Sequence, residues 1–414
     1  MPEKKKSVVP PLRFPEFRDA GEWEVKAIVD LAEKIAQGGT PSTTNPAYWN
    51  GGIPWVTPAE MGNDAAHHYL MTTNRNISKL GLENSSAELL PPNSVIISSR
   101  APIGYVAINK VPMATNQGCK GIIPNNSVYY EFLYFSLINA KRMLNDLGAG
   151  AGFKELSSGV LRSFRLPVPQ VGEQQKIADC LSSLDEVIDL EAQKLEALKA
   201  HKKGLMQQLF PREGETTPSL RFPEFRDAGE WEVKRLGEVC STFTGGTPSS
   251  SRKEYYGGSI PFIRSAEIDQ DRTELFLTEE GLKNSSAKLV IKGDILIALY
   301  GANSGNGALS KIDGAINQAI LCLRSKFNHT FILDYWRLRK NEIVMQYLQG
   351  GQGNLSAEIV KSIAFAFPSL PEQQKIADCL SSLDEVINLQ TQKLDALKAH
   401  KKGLMQQLFP SEVD

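Results

Sequence analysis

Asn45-Pro46-Ala47-Tyr48-Trp49 has the residue types with which a DNA adenine methyltransferase holds a base turned out of the duplex: an amide for the base edge and rings for its face. At the related position further along, residues 252–256 read RKEYY, so the pattern is not repeated. The glycine-rich run GAGAGF at 148–153 follows a helical stretch rather than a strand, which is the wrong context for a nucleotide loop. Glu16, Glu24 and Lys26, and again Glu224, Glu232 and Lys234, have a formal acid-then-E-x-K nuclease pattern, but their spacing is short for a metal-binding carboxylate cluster. The five histidines (His67, His68, His201, His329, His400) lack metal spacing, and there is no Walker-type phosphate loop. The expectation is a chain with no catalytic site and no bound metal, one that binds and organises.

The elements that would position any binding residues are written twice. LRFPEFRDAGEWEVK at 12–26 recurs unchanged at 220–234, and the 38 residues 173–210 return at 372–409 with four differences: Asp189/Asn388, Glu191/Gln390, Ala192/Thr391 and Glu196/Asp395. Between them lie two diverged segments, roughly 27–170 and 235–369, that keep their landmarks in order. GGTPS stands at 38–42 and 245–249, IPWVTPAEM at 53–61 beside IPFIRSAEI at 260–268, NSSA at 84–87 and 284–287, and NQ at 116–117 and 317–318. The period is too long for a solenoid and implies two copies of one globular domain. Short apolar runs such as 94–99, 294–300 and 319–324 predict strands, and 128–147 with its counterpart 330–348 predicts one helix per copy, giving an α+β class.

The 414 residues are enough for two or three domains. With 46 basic and 47 acidic residues the net charge is −1, so no global field draws the chain to nucleic acid or to an anionic membrane. By segment, 27–172 holds 11 basic and 9 acidic residues, 235–371 holds 15 and 13, and 173–211 holds 5 and 7. The mild positive excess therefore lies on the globular parts. The five cysteines have no C-x-x-C spacing and fit a reducing compartment, and no apolar run approaches a membrane span; the expectation is a soluble, cytoplasmic protein.

Residues 173–210 and 372–409 each have a heptad seam of Leu and Ile with two polar interruptions, Glu191 and Lys202 in the first and Gln390 and Lys401 in the second. Two such helices, each roughly 55 to 60 Å long at 1.5 Å per residue, can pair antiparallel and relate the halves by a pseudo-twofold axis, with the globular domains at opposite ends. One register sets Glu191 against Lys401 and Lys202 against Gln390, so that polar layers meet. A register seven residues away faces Glu191 with Leu394 and Lys202 with Leu383. The first is the expectation.

Reading a base sequence needs directional donors and acceptors on groove-facing loops. The aligned loops offer Thr40, Ser42, Thr43, Asn45, Thr57, Arg100, Asn116, Gln117 and Lys154 in the first copy. The second copy offers Thr247, Ser249, Arg252, Lys253, Arg264, Tyr300, Asn303, Asn317, Gln318 and Asn354. GGTPS and NQ could equally be structural turns and strand-end caps. The differing positions, Thr57 against Arg264 and Arg100 against Tyr300, change donor chemistry inside a preserved frame, as two domains reading different sequences would.

Over nearly all its length the chain resembles the specificity subunit of type I restriction-modification enzymes. The resemblance is carried by LRFPEF…EW opening each copy, GGTPS followed by IPWV or IPFI, and the proline-rich LPVPQVGEQQKIA or FPSLPEQQKIA running into each heptad helix. It implies two target-recognition domains separated by two long antiparallel coiled-coil helices, each domain reading one half of a split, asymmetric DNA target. On this reading 1–26 is an N-terminal segment and repeat boundary, 27–172 and 235–371 are the recognition domains, and 173–211 and 372–410 the spacer helices. Residues 212–234 are a linker and repeat boundary, and 411–414 a tail. The resemblance further implies partners: double-stranded DNA, two modification subunits that use S-adenosylmethionine to methylate adenine, and two restriction subunits that use ATP and Mg. A coiled-coil adaptor for proteins and a stand-alone adenine methyltransferase are the alternatives; partner-free DNA binding tests the former and S-adenosylmethionine binding by the isolated chain the latter.

Overall fold

The computed structural model describes residues 8–62, 69–100, 102–148, 155–348 and 354–410. The chain divides into two compact units, one made of Met1–Lys194 with Gln390–Asp414 and one made of Leu195–Leu389. The division cuts both long helices, Val171–Leu209 and Leu370–Leu408, near their middles.

In the first unit a five-stranded sheet has the order Ala32–Gln37, Cys119–Pro124, Val95–Ser98, Val106–Asn109, Tyr69–Leu70, antiparallel except for the last pair. A three-stranded sheet sets Trp49–Val56 between Asn76–Ile77 and a parallel partner, Ala114–Thr115. Val95–Ser98 and Val106–Asn109 are buried at every position, which is why they appear in the sequence as apolar runs without alternation. The second unit repeats the plan with two four-stranded sheets. One has the order Cys240–Thr244, Ile320–Ser325, Ile295–Ala298, Gly307–Leu309, and the other Leu275–Leu277, Tyr256–Ile263, Gly314–Ile316, Lys288–Val290. The expected helix at 128–147 is interrupted: Tyr130–Asn139 and Lys141–Leu147 meet at Ala140, whose N–H is shared between the carbonyls of Ser136 and Ile138. Its counterpart, His329–Leu348, is continuous.

The unchanged repeats form a clasp in each unit. Arg13 donates from Nε and Nη2 to the two carboxylate oxygens of Glu173, both at 2.7 Å, and from Nη1 to the carbonyl of Gly21. Arg221 does the same to Glu372, at 2.7 and 2.8 Å, and to Gly229. Gln174 accepts from the N–H of Tyr129 and donates to the carbonyls of Ser127 and Pro169, and Gln373 accepts from Asn328 and donates to Pro368. The opening LRFPEF and the EQQ of each long helix therefore stay alike because each supplies half of a buried polar contact.

Each unit also packs segments of both long helices, antiparallel. In the first, Ile177, Ala178 and Leu181 share a core with Met405, Leu408 and Phe409; in the second, Met206, Leu209 and Phe210 share one with Ile376, Ala377 and Leu380. The register differs from the expected one. Lys401 pairs with Asp185 rather than Glu191, and Lys202 with Asp384, at 2.5 Å, rather than Gln390. Glu191 accepts instead from Gln390, at 2.6 Å, and from Lys393, at 2.5 Å. Each lysine's partner is shifted by six residues and those of Glu191 by eight and eleven, nearer the register seven away than the expected one. Counting only seam positions overlooked that a lysine stem reaches a flanking carboxylate, so Lys202 and Lys401 need no polar residue opposite them in the seam.

At one core position an aromatic ring gives way to an acid. Phe132, which meets Trp23 and Phe409, corresponds to Phe331, which meets Trp231 and Phe210. Three residues on, Phe135 in the first unit is replaced by Asp334, only 1% exposed, with no hydrogen bond to either carboxylate oxygen and Arg337 at 3.5 Å. Burial pushes its carboxyl above the usual range against the opposing pull of Lys202 and Arg337, and Asp384 adds to the rise. Between the ordinary and the raised value the folded state holds more protons, so stability falls as pH rises through that window. Asp334→Asn is expected to stabilise the protein by on the order of 1 kcal/mol at neutral pH and to change little in acid. Calorimetry across the pH range, with the gap between variant and wild type widening upward, checks this.

Candidate nucleic-acid interface

Four loops of the first unit converge at one end of its two sheets. The backbone of Gly38 and Gly39 lies flat against the 115–116 segment, with Gly39 donating to the carbonyl of Thr115 at 2.8 Å. Thr40 Oγ1 donates to Gln117 Oε1, Asn116 donates from its backbone to Val56, and Ser99 donates to the carbonyl of Gly118. Gly118 has the Nε of Arg100, the ring of Pro58 and the amide of Asn116 around its open side. Thr57 donates from N and Oγ1 to Glu60 Oε2, and Glu60 Oε1 takes the N–H of Asn74. Thr40, Thr57, Arg100, Asn116 and Gln117 are thus brought together. Ser42, Thr43 and Asn45 continue on the adjoining turn, and Lys154 lies outside the described residues.

The second unit builds the same frame. Thr247 Oγ1 donates to Gln318 Oε1 at 2.5 Å, Gly246 donates to Ile316, and Asn317 Oδ1 accepts from Ala319 as Asn116 Oδ1 does from Gly118. The two Thr–Gln ties and the two Asn turns are the same in both copies and fix loop to loop. Where the copies differ, the side chains point to different work. Arg264 donates to Glu267 and to Glu274, at 2.9 and 2.5 Å, and these carboxylates, Glu267 foremost, raise its pKa while Arg264 lowers that of Glu267. Tyr300 is exposed, beside a turn in which Asn354 Oδ1 accepts from Gly301 and Asn303 Oδ1 from Asn306. Ser249 pairs with Ser251, Arg252 with Glu254 at 3.1 Å, and Lys253 is exposed. Sequence reasoning missed Glu60 and Glu267, which anchor these loops, although their shared place in PAEM and SAEI was the available signal.

The catalytic look-alikes have structural roles. Asn45 Oδ1 caps the turn Pro46–Tyr48 by accepting from Ala47, and the carbonyl of Tyr48 takes the N–H of Ser78. Glu16 pairs with Lys176 and Glu24 with Lys26, so they do not form one cluster, and Glu224 and Glu232 pair likewise with Lys375 and Lys234. Among the described residues no group of His, Cys, Asp or Glu is placed to hold a metal ion, and no helix is long and apolar enough to cross a membrane.

Residues 20–200 and 228–399 match the family described as the type I restriction modification DNA specificity domain. The chain belongs to that family. The MjaIX specificity subunit of a type I restriction enzyme from Methanocaldococcus jannaschii is 30% identical over 95% of this chain and 94% of its own length. The EcoR124I/EcoR124II specificity subunit from Escherichia coli is 33% identical over 40% of this chain and 41% of its own. Among solved structures, the S subunit of the type I restriction-modification system from M. genitalium superposes with a TM-score of 0.61 at 16% identity, covering 98% of this chain and 100% of that one, which establishes the shared fold. This specificity subunit recognises DNA sequence as one member of a multisubunit restriction-modification complex, and the catalysis of that complex belongs to other subunits.

Proposed function

We propose that each unit of this specificity subunit reads one half of a split, asymmetric DNA target through its converging loops. Two modification subunits that bind S-adenosylmethionine methylate adenine at the address so chosen, and two restriction subunits translocate and cleave with ATP and Mg. The long helices set the number of unread base pairs between half-sites and dock the partners, and the complex works in the cytoplasm. The observation that carries this reading is the repeated loop frame with different donors in it: Thr40–Gln117 and Thr247–Gln318 alike, Arg100 and Tyr300 unlike. Identical frames with unlike side chains suit two different base sequences, because bidentate arginine favours guanine while hydroxyls are permissive. Sequencing of methylated bases in cells carrying this subunit with a modification partner is expected to return two short motifs at a fixed separation. A single contiguous motif, or none, would overturn the proposal.

A further inference from the structure

Beneath the GGTPS loop of the first unit stand two tryptophans. Trp55 donates from Nε1 to the carbonyl of Gly39, at 2.9 Å, and Trp49 from Nε1 to the carbonyl of Ser42, at 3.0 Å. Their rings meet edge to face, with centroids 5.1 Å apart. Arg75 lies over this pair, its guanidinium carbon 3.9 Å from the centroid of Trp49 and 5.2 Å from that of Trp55. The backbone beneath it is fixed, because the carbonyl of Arg75 accepts from the N–H of Trp55 and from Thr73 Oγ1. Arg75 is exposed, and among the described residues no carboxylate or carbonyl takes its donors. Arg264 in the other unit, by contrast, is held by Glu267 and Glu274.

The second unit keeps the pillar and lacks the cation. Pro54 pairs with Asn76 as Pro261 pairs with Phe276, which places Arg75 opposite Trp55 where Leu275 stands opposite Phe262. Tyr256 donates to the carbonyl of Pro248, at 2.6 Å, as Trp49 does to Ser42. Support of the loop therefore needs the aromatic ring and does not need an arginine. A guanidinium lying over an indole is pre-ordered, and its contact with the ring is made through its face, so the five N–H donors in the guanidinium plane remain available.

Resting on the proposed reading of DNA by this unit, we infer that Arg75 is a base-reading residue that takes a guanine of the first half-site through its O6 and N7 acceptors. The fork geometry is what fits that edge, so charge alone does not substitute for it.

The test uses the full chain in complex with its modification subunit, on DNA carrying each single-base change in both half-sites. Arg75→Ala and Arg75→Lys are each expected to lose at least about 10-fold of the preference for guanine at one position of the first half-site and to leave the second half-site unchanged. Arg75→Leu, which installs the residue of the second unit, is expected to do the same while keeping the near-ultraviolet dichroism of the tryptophans. A lysine variant with wild-type discrimination, a first half-site without guanine, or a uniform loss on all sequences with the salt slope reduced by about one would each overturn the inference, the last marking a phosphate contact. Wild-type complex that discriminates no two-part target would overturn the proposed function itself and this inference with it.

Discussion

Gly38→Ala is expected to abolish discrimination at one half-site and leave the other intact, and Gly245→Ala to do the reverse. A Cβ built on Gly38 would stand 1.7 Å from the carbonyl oxygen of Asn116, and one on Gly245 the same distance from that of Ile316. Both obstructing atoms are backbone, so no rotamer relieves the overlap and the loop must lift away. Lifting breaks the Gly39–Thr115 bond and pulls Thr40 from Gln117, or Gly246 from Ile316 and Thr247 from Gln318. Forced overpacking costs about 1–3 kcal/mol. Loss of geometry in the loops proposed to read bases adds to it, so a fall in discrimination on the order of 100-fold is expected. Gly52→Ala provides the control, because a Cβ there has nothing within 4 Å. Binding assays with single-base changes in each half-site measure both. Equal loss at the two half-sites from either substitution would show that the loops do not act within their own units.

The second large effect concerns the clasp. Arg13→Ala leaves Glu173, with its side chain 1% exposed, facing only the Nε1 of Trp23 at 3.3 Å. Removing one partner of a buried ion pair costs about 3–5 kcal/mol, because the remaining charge stays desolvated. Arg221→Ala strands Glu372 likewise and without the tryptophan contact, since Trp231 Nε1 has no hydrogen-bond partner among the described residues. The double replacement Arg13→Met with Glu173→Leu is expected to recover most of the loss, since two apolar residues leave no stranded charge. Urea denaturation of the three variants separates the outcomes. If the single arginine variant lost less than about 1 kcal/mol, the pair would be behaving as a surface contact.

Much of the architecture is legible in the sequence because duplication supplies an internal comparison. The repeated landmarks locate the loop frame, buried runs such as Val95–Ser98 mark sheet interiors, and the heptads give both long helices. The helix register was not legible. Lys202 and Lys401 are neutralised by Asp384 and Asp185, which flank the seam, and a seam read position by position does not contain them. The break at Ala140 carries no proline or glycine to announce it. Arg75 escaped notice because its significance lies in strand pairing: it stands beside Trp55 through a register that no local pattern specifies. Asp334 looks like one more polar residue in a helix until its burial is seen.

The core of the first unit takes Met405, Leu408 and Phe409 as full members, with Phe409 packed on Trp23 and Phe132. The second unit, Leu195–Leu389, is continuous. Order of synthesis and order of completion are therefore opposed. At the usual rate of about 5–20 residues per second, the first unit emerges from the ribosome and then waits, for something like 10 to 40 seconds, for the residues that close it, while the later unit is whole as soon as it appears. A chain stopped anywhere before residue 390 lacks part of its earlier unit rather than only its later one. A message cut short therefore leaves the core of the first unit without the Met405, Leu408 and Phe409 of its own chain, so that closing it would fall to the near-identical helix end, Met206, Leu209 and Phe210, of a second copy.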